Sequence, residues 1–311
     1  MYKNKRITAV IPAHNEAGHI AQVIATMPEF VDHLVVVDDC SGDNTYEAAV
    51  SSDDKRVVAL KTPQNRGVGG ATILGYRKGI ELESDIIVKM DGDGQMDPDY
   101  LSSLIDMLID QGYDYAKGNR FLVGESLNFM PRHRLFGNVV LTFMTKLASG
   151  YWHIFDPQNG FTAIKCDALR SLDLSAIHER FFFENDMLIH LNFFKYRVKD
   201  VAIPARYGEE KSDLNPFKIG LTFPLLLLRR FFHRIYQKYV LRDFSPIALF
   251  LFLGLGLFTW GILFGIYLYF RTVSTGIATP TGTIMLALLP LILGFQLLLQ
   301  AIVLDIQETP K

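Results

Sequence analysis

Two uncharged stretches close the chain and constrain it more than any other feature. Phe244 to Phe270 runs 27 residues without a charge, and Thr272 to Leu304 runs another 33, apolar from about Ile284. A bilayer core takes about 20 apolar residues as a helix, and soluble helices seldom lack a polar stripe for that long. Membrane spans are therefore expected near 246–270 and 284–304, with a pair of buried core helices as the alternative. The segment ahead of them, FKIGLTFPLLLLRRFFHRIYQKYVLRD, holds six Lys/Arg and no acid before Asp243. The positive-inside rule makes that flank cytosolic. The body then faces the cytosol and the short loop 271–283 faces out. Within the flank, Leu225–Leu228, Phe231, Phe232, Ile235 and Tyr239 mix with Arg229, Arg230, Arg234 and Lys238. That mixture reads as an interfacial helix, apolar side in lipid and cations at the headgroups, or as an ordinary surface helix.

The net charge of −2 averages two unlike parts, +5 from Lys218 onward and −7 before it. An acidic body on a basic, apolar tail points to a protein attached to the cell membrane, with membrane lipids as partners and no nucleic acid. Cys40 and Cys166 are too few for a disulfide scaffold, no C-x-x-C is present for zinc, and both fit a reducing cytosol. The opening MYKNKRITAVIPAHNEAG holds no long apolar run before a cleavage site, so no signal peptide is expected. Three regions result: a body over 1–217, a basic amphipathic region over 218–243, and a hairpin of two spans over 244–311.

The body alternates short apolar runs with helical stretches. Ile7–Ile11, Leu34–Val37, Val57–Leu60 and Asp85–Met90 read as strands. Helices are predicted from about Glu16, after Ser41-Gly-Asp-Asn-Thr, and from the Asn65–Ala71 turn through about Gly79. Such alternation predicts βαβ units and a mainly parallel sheet. Ligands of such sheets bind beyond the carboxyl ends of the strands. Asp38-Asp39 and Asp91-Gly92-Asp93 both stand at strand ends, so they converge on one crevice, which this reading builds wholly from strands before Asp97.

Asp91-Gly-Asp93-Gly-Gln95-Met-Asp97 carries the most chemistry. In extended chain, positions i, i+2 and i+4 point to one side. Asp91, Asp93 and Gln95 can then present three hard oxygen ligands, a set suited to Mg²⁺ or Mn²⁺. An EF-hand loop needs Gly and Glu where Met96 and Ser102 stand, so it fails; a plain acidic turn is the other reading. Gly67-Val-Gly69-Gly70 lacks the third glycine of a dinucleotide fingerprint, Thr72 standing there, and reads as a tight turn before a helix. No Walker-type phosphate loop occurs. His14 reads as a crevice-lining residue.

VIPAHNEAGHI, VVVDDCSGDNT, NRGVGGATILGYRKG and VKMDGDGQMDP, four motifs in order, resemble the family 2 glycosyltransferases of GT-A fold. KGNRF, NGFTAIK, FFFENDMLIHL and ARYGEEKS resemble its polyprenyl-phosphate branch, to which dolichol-phosphate mannose synthase and bacterial polyprenyl-phosphate glucosyltransferases belong. The Q-x-x-R-W motif of processive polysaccharide synthases is absent. The resemblance implies a Rossmann-like α/β sheet with helices on both faces. It also implies a donor pocket of Pro12, His14, Glu16, Val37 and Asp39, the last accepting from the base. Asp91, Gly92 and Asp93 would flank the donor diphosphate, Asp91 and Asp93 with Gln95 holding the metal. Arg120, Arg206 and Lys211 would contact phosphates, and Arg132 and Arg134 the lipid acceptor. Asp93, Arg120 and Asp186 would be the catalytic set, with Asp186 near the acceptor in a Glu184-Asn185-Asp186 variant of the family's acidic segment. A UDP-sugar is favoured over a GDP-sugar, and a homo-oligomer is allowed.

One chemical point favours a phosphate acceptor. A hydroxyl nucleophile gains from a positioned base, whereas a phosphate monoester with a second pKa near ~6 is already largely dianionic. It needs cations rather than a base. The expected reaction is inverting transfer of a sugar to polyprenyl phosphate; transfer to a hydroxyl of another lipid or glycan is the alternative, and a non-enzymatic membrane protein is a third reading.

Overall fold

The computed structural model describes residues 1–122, 132–204 and 216–310, leaving aside the side chains of 132–138 and 216–221. Strand β1 (Ile7–Ala13) is buried along its whole length, as a central parallel strand covered on both faces must be. Helix α1 (Ile20–Ala25), β2 (His33–Asp38), α2 (Thr45–Val50), β3 (Val57–Lys61), α3 (Gly67–Glu81) and β4 (Ile86–Lys89) follow in alternation. Then come α4 (Leu101–Ile109), β5 (Tyr115–Asn119), α5 (Arg132–Ser149), β6 (Thr162–Lys165), α6 (Cys166–Ser171), α7 (Phe183–Phe193) and β7 (Val198–Ala202). The sheet order is β3-β2-β1-β4-β6-β5-β7. β1 to β4 are mutually parallel, and β6 runs antiparallel to both β4 and β5. The expected mainly parallel α/β sheet with helices on both faces is the observed one.

Side-chain alternation divides the core in two. Ile7, Ala9 and Ile11 of β1 pack with Ile20 and Val23 of α1 and Leu101, Leu104 and Ile105 of α4. Val10 turns to the other face, against Ala71, Ile73 and Tyr76 of α3 and Met187 and Leu188 of α7. The four N-terminal strands begin and end within two residues of their predicted bounds. The later three were not assigned from sequence, because Lys117, Asn119, Lys165, Lys199 and Asp200 interrupt their apolar pattern.

The described chain divides into two compact units, 1–231 with 310–311, and 232–309, the boundary falling inside α8 (Pro216–Tyr236). In the first unit, α8 buries Phe223 and Leu227 against Phe182, just ahead of α7, and Ile189 of α7. The second holds one π-helical turn, Gln237–Arg242, then α9 (Pro246–Thr275) and α10 (Thr281–Gln307), both long and apolar enough to cross a membrane. Ser245 caps α9, its Oγ accepting from the Ile247 N–H. Pro246 opens the helix, and Gly276 ends it at φ 65°. The two helices meet through small residues. A Cβ on Gly294 would lie 2.4 Å from the Phe258 nitrogen, and one on Gly261 2.8 Å from the Ala287 oxygen. Gly294→Leu is expected to cost about 1–3 kcal/mol by overpacking this contact, read as a lowered melting temperature in detergent.

One expectation for the flank needs correction. Arg234 and Lys238, read as headgroup cations, are buried. The Arg234 guanidinium grips the Asp305 carboxylate in two bonds of 2.7 and 2.9 Å, and the Tyr239 hydroxyl donates to the same carboxylate at 2.7 Å. A carboxylate in the last turns of an apolar helix is costly unless paired, and Arg234 supplies the pair.

Candidate active site

The carboxyl ends of β1, β2 and β4 lie along one edge of the sheet. Ala13 stands beside Asp38, and the Asp39 N–H donates to the Ala13 carbonyl at 2.8 Å. The Gly92 N–H donates to the Pro12 carbonyl at 3.1 Å. His14, Asp39 and Gly92 are thereby tied together by backbone alone. Pro12 and Val37 face each other in register and are buried, while His14 is exposed and directs Nδ1 to the Asp39 carbonyl, 2.9 Å away. The Glu16 N–H donates to the Thr45 hydroxyl, and the Glu16 carboxylate pairs with His19.

Asp39 does more than its sequence reading allowed. It is buried, and its carboxylate accepts from the Thr62 hydroxyl at 2.9 Å, the Arg66 N–H at 2.9 Å and the Gly67 N–H at 2.7 Å. It anchors the turn before α3, where Gly67 adopts φ +82°. A left-handed φ there favours glycine, which accounts for the tight turn expected at this position. The turn is also held from outside: Arg66 pairs with Glu179, and the Gly70 N–H donates to the Glu179 carbonyl. Asp39→Ala orphans three donors, so it is expected to cost about 1–3 kcal/mol per buried group left unsatisfied. It should also raise the KM for donor; urea unfolding and initial-rate kinetics read the two effects separately.

At the end of β4, a cleft of about 200 Å³ is lined by Asp91, Asp93, Gln95, Asp97 and Arg120, together with Gln158 to Phe161. The structure brings these sequence-predicted residues together. Asp93 Oδ1 accepts from the Gln95 N–H at 2.9 Å, closing a turn that fixes its carboxylate. Asp91 is held by Lys89, whose Nζ donates to Asp91 Oδ1 at 2.7 Å, to Glu184 Oε1 at 3.3 Å and to the Gly160 carbonyl at 3.3 Å. Lys89 is 1% exposed. Burial pulls its pKa down, but the adjacent Asp91 and Glu184 carboxylates outweigh that and hold it above the usual lysine value. Burial pushes the Glu184 carboxyl up, and Lys89 only partly offsets it.

Neither Lys89 nor Glu184 was singled out from sequence. The signal was present: a lysine inside Ile-Ile-Val-Lys-Met must be paired when such a strand is buried. Its partner comes from α7, and no spacing rule links residue 89 to residue 184.

The crevice also extends beyond the strands before Asp97. Arg120 follows β5, and its Nε and Nη2 donate to the Asp156 carboxylate at 2.7 and 2.8 Å. Burial raises the Asp156 carboxyl, but the Arg120 guanidinium outweighs it and holds the pKa below the usual range. Asp186 stands away from this cleft. It is fully buried, accepts from the His178 N–H at 2.9 Å and from Arg230 of α8 at 2.5 Å, and does not line the cleft. On a helix, residues 184 and 186 point roughly 200° apart, so Glu184 rather than Asp186 reaches the Asp91 cluster. Arg206 and Lys211 lie outside the described residues, and so do the side chains of Arg132 and Arg134.

Among the described residues, no three His, Cys, Asp or Glu side chains gather as a metal cage. Asp91 and Asp93 on one open cleft suit a cation that takes one or two carboxylates and completes its shell with water and substrate phosphate, as Mg²⁺ does.

The family model described as Glycosyl transferase family 2 matches residues 8–173. The UDP-N-acetylglucosamine–dolichyl-phosphate N-acetylglucosaminyltransferase of Methanococcus voltae is 33% identical over 221 residues, 66% of this chain and 88% of that protein. The undecaprenyl-phosphate mannosyltransferase of Micrococcus luteus is 29% identical over 67% of this chain and 88% of its own. In fold, the chain is similar to glucosyl-3-phosphoglycerate synthase from Mycobacterium tuberculosis, solved with Mn²⁺ and uridine diphosphate. The TM-score is 0.54 at 20% identity, over 74% of this chain and 80% of that one. With the match spanning the strands that build the cleft, the chain belongs to glycosyl transferase family 2.

Proposed function

We propose that this chain transfers a sugar, with inversion, from a nucleoside-diphosphate sugar to polyprenyl phosphate at the cytosolic face of a membrane. The observation that carries the reading is a cleft bounded by Asp91 and Asp93 at a strand end, in one chain with two helices of membrane length. The relatives from Methanococcus and Micrococcus, named for dolichyl- and undecaprenyl-phosphate transfer, support the acceptor class.

Asp91 and Asp93, with Gln95 beside them, would hold Mg²⁺ or Mn²⁺. The bound cation would neutralise charge developing on the leaving diphosphate. Pro12, His14 and Asp39 bound the nucleoside end of the sheet edge, and a uridine donor is the favoured one. Lys89 fixes Asp91 from beneath. Arg120, aimed by Asp156, places a cation on the cleft wall for phosphate. In the transfer itself, a phosphate oxygen of the acceptor attacks the anomeric carbon. The bond from that carbon to the donor diphosphate breaks, and its electron pair leaves with the nucleoside diphosphate. No proton need be removed from a dianionic phosphate. Arg206, Lys211, Arg132 and Arg134 remain candidates for phosphate contact.

The test is transfer of radiolabelled sugar from UDP- and GDP-sugars to polyprenyl phosphate by the full chain in vesicles. A lipid-extractable product of inverted anomeric configuration is expected. Label appearing only on a lipid or glycan hydroxyl would replace this reading with the alternative.

A further inference from the structure

The segment Phe155–Gly160 is a loop, yet it is fixed at both ends by buried lysines. Lys117 on β5 and Lys89 on β4 both stand in register with Thr162 of the intervening β6. Lys117 Nζ donates to the Phe155 carbonyl at 2.8 Å and to the Asp156 carbonyl at 2.6 Å. Lys89 Nζ donates to the Gly160 carbonyl at 3.3 Å. Asp200 of β7 completes the first grip, accepting from the Phe155 N–H at 2.7 Å and from Lys117 at 3.3 Å. Gly160 is pressed against the second, since a Cβ there would lie 2.4 Å from Lys89 Nζ and 2.9 Å from Asp91 Oδ2. Within the loop, Asn159 is 5% exposed and turned inward, its Oδ1 accepting from the Phe161 N–H. Gln158 is exposed and lines the cleft.

Burying two ammonium groups is costly unless each is fully paired, and here the loop's carbonyls supply part of that pairing and so fix the loop's position. The position has a use. Gly160 abuts Asp91, the residue placed at the donor diphosphate, and Gln158 is two residues further along, at most about 7 Å away. A sugar attached to that diphosphate would lie within the same interval. A carboxamide carries both donors and acceptors, matching the hydroxyl or acetamido groups of a pyranose. A site built on a preorganised support discriminates better than one on a mobile loop.

Resting on the glycosyl-transfer reading above, we propose that Phe155–Gly160 is a clamped sugar-reading loop, with Gln158 the side chain that determines which donor sugar is accepted. Lys117 and Asp200 are its positioning residues. They act through the loop backbone.

The experiment uses the full chain in detergent with polyprenyl phosphate. It measures kcat/KM for UDP-glucose, UDP-galactose, UDP-N-acetylglucosamine and GDP-mannose, and inhibition by free UDP, for wild type, Gln158→Ala and Gln158→Glu. The ratio of kcat/KM between the best and second-best sugar is expected to shift roughly tenfold in the variants, as loss of a hydrogen bond to substrate does. Inhibition by UDP, which lacks the sugar, is expected to stay within about twofold. An unchanged ratio in an active, folded Gln158→Ala overturns the assignment and leaves the transfer reading standing. So does a change confined to the KM for polyprenyl phosphate. If wild type transfers from no nucleotide sugar, the reaction itself falls and the loop assignment with it.

Discussion

Asp93→Asn is expected to lower turnover roughly 10³-fold, the scale of losing a fixed charge contact at a reacting centre, while the unfolding transition stays in place. One carboxylate oxygen is bound into the turn, accepting from the Gln95 N–H at 2.9 Å. The asparagine oxygen can accept the same bond, so the turn from Asp91 to Gln95 keeps its shape. What the substitution removes is one negative charge facing the cleft, half of the pair that Asp91 and Asp93 present there. A cation bridging protein and diphosphate is held by such charge. Wild type in excess chelator should fall to a similar rate, and added Mn²⁺ should restore wild type far better than the variant. Full wild-type turnover in chelator would remove the metal from the reaction.

Lys89→Met should cost stability as well as activity, about 3–5 kcal/mol, the loss expected when one member of a buried ion pair is deleted. Lys89 is 1% exposed and ties together Asp91, Glu184 and the Gly160 carbonyl. Methionine fills the stem but leaves these oxygens without their donor. The pH dependence has a definite sign. Burial already raises the folded-state pKa of Glu184, and Lys89 is the neighbour that lowers it. Without Lys89 it rises further, so the folded variant favours protonated Glu184. A carboxyl with a raised folded pKa supports the fold below its unfolded pKa and loses that support as pH rises through the folded value. The stability gap between wild type and variant should therefore widen from about pH 5 to about pH 8. Urea unfolding at the two values measures it, and an equal gap would show that Glu184 does not sense Lys89.

The N-terminal half of the sheet was legible because its code is local. Four apolar runs, three of them ending in Asp or Pro-Ala-His, state strand, turn and crevice within a dozen residues each, and parallel βαβ connection follows from their spacing. The spans were legible for the same reason, uncharged length being a property of consecutive residues. Asp91, Asp93, Gln95 and Arg120 were found from motifs that the fold brings onto one cleft. Asp186 is held by the His178 N–H and Arg230 instead of lining that cleft, because a motif names a segment but not which side of the helix it presents. Glu184, two residues earlier, takes the place beside Asp91.

By itself, the sequence determined the fold class, the crevice edge, the acidic motif and the apolar pair at the end, all read from neighbours along the chain. Tertiary structure alone decided which charges meet. Lys89 finds Glu184 across 95 residues, Arg120 finds Asp156 across 36, and Arg234 finds Asp305 across 71. The physical reason is that a buried charge requires an opposite charge within a few ångströms, and the fold supplies that distance. Any of several acidic residues could have met each requirement, and only packing in three dimensions selects one.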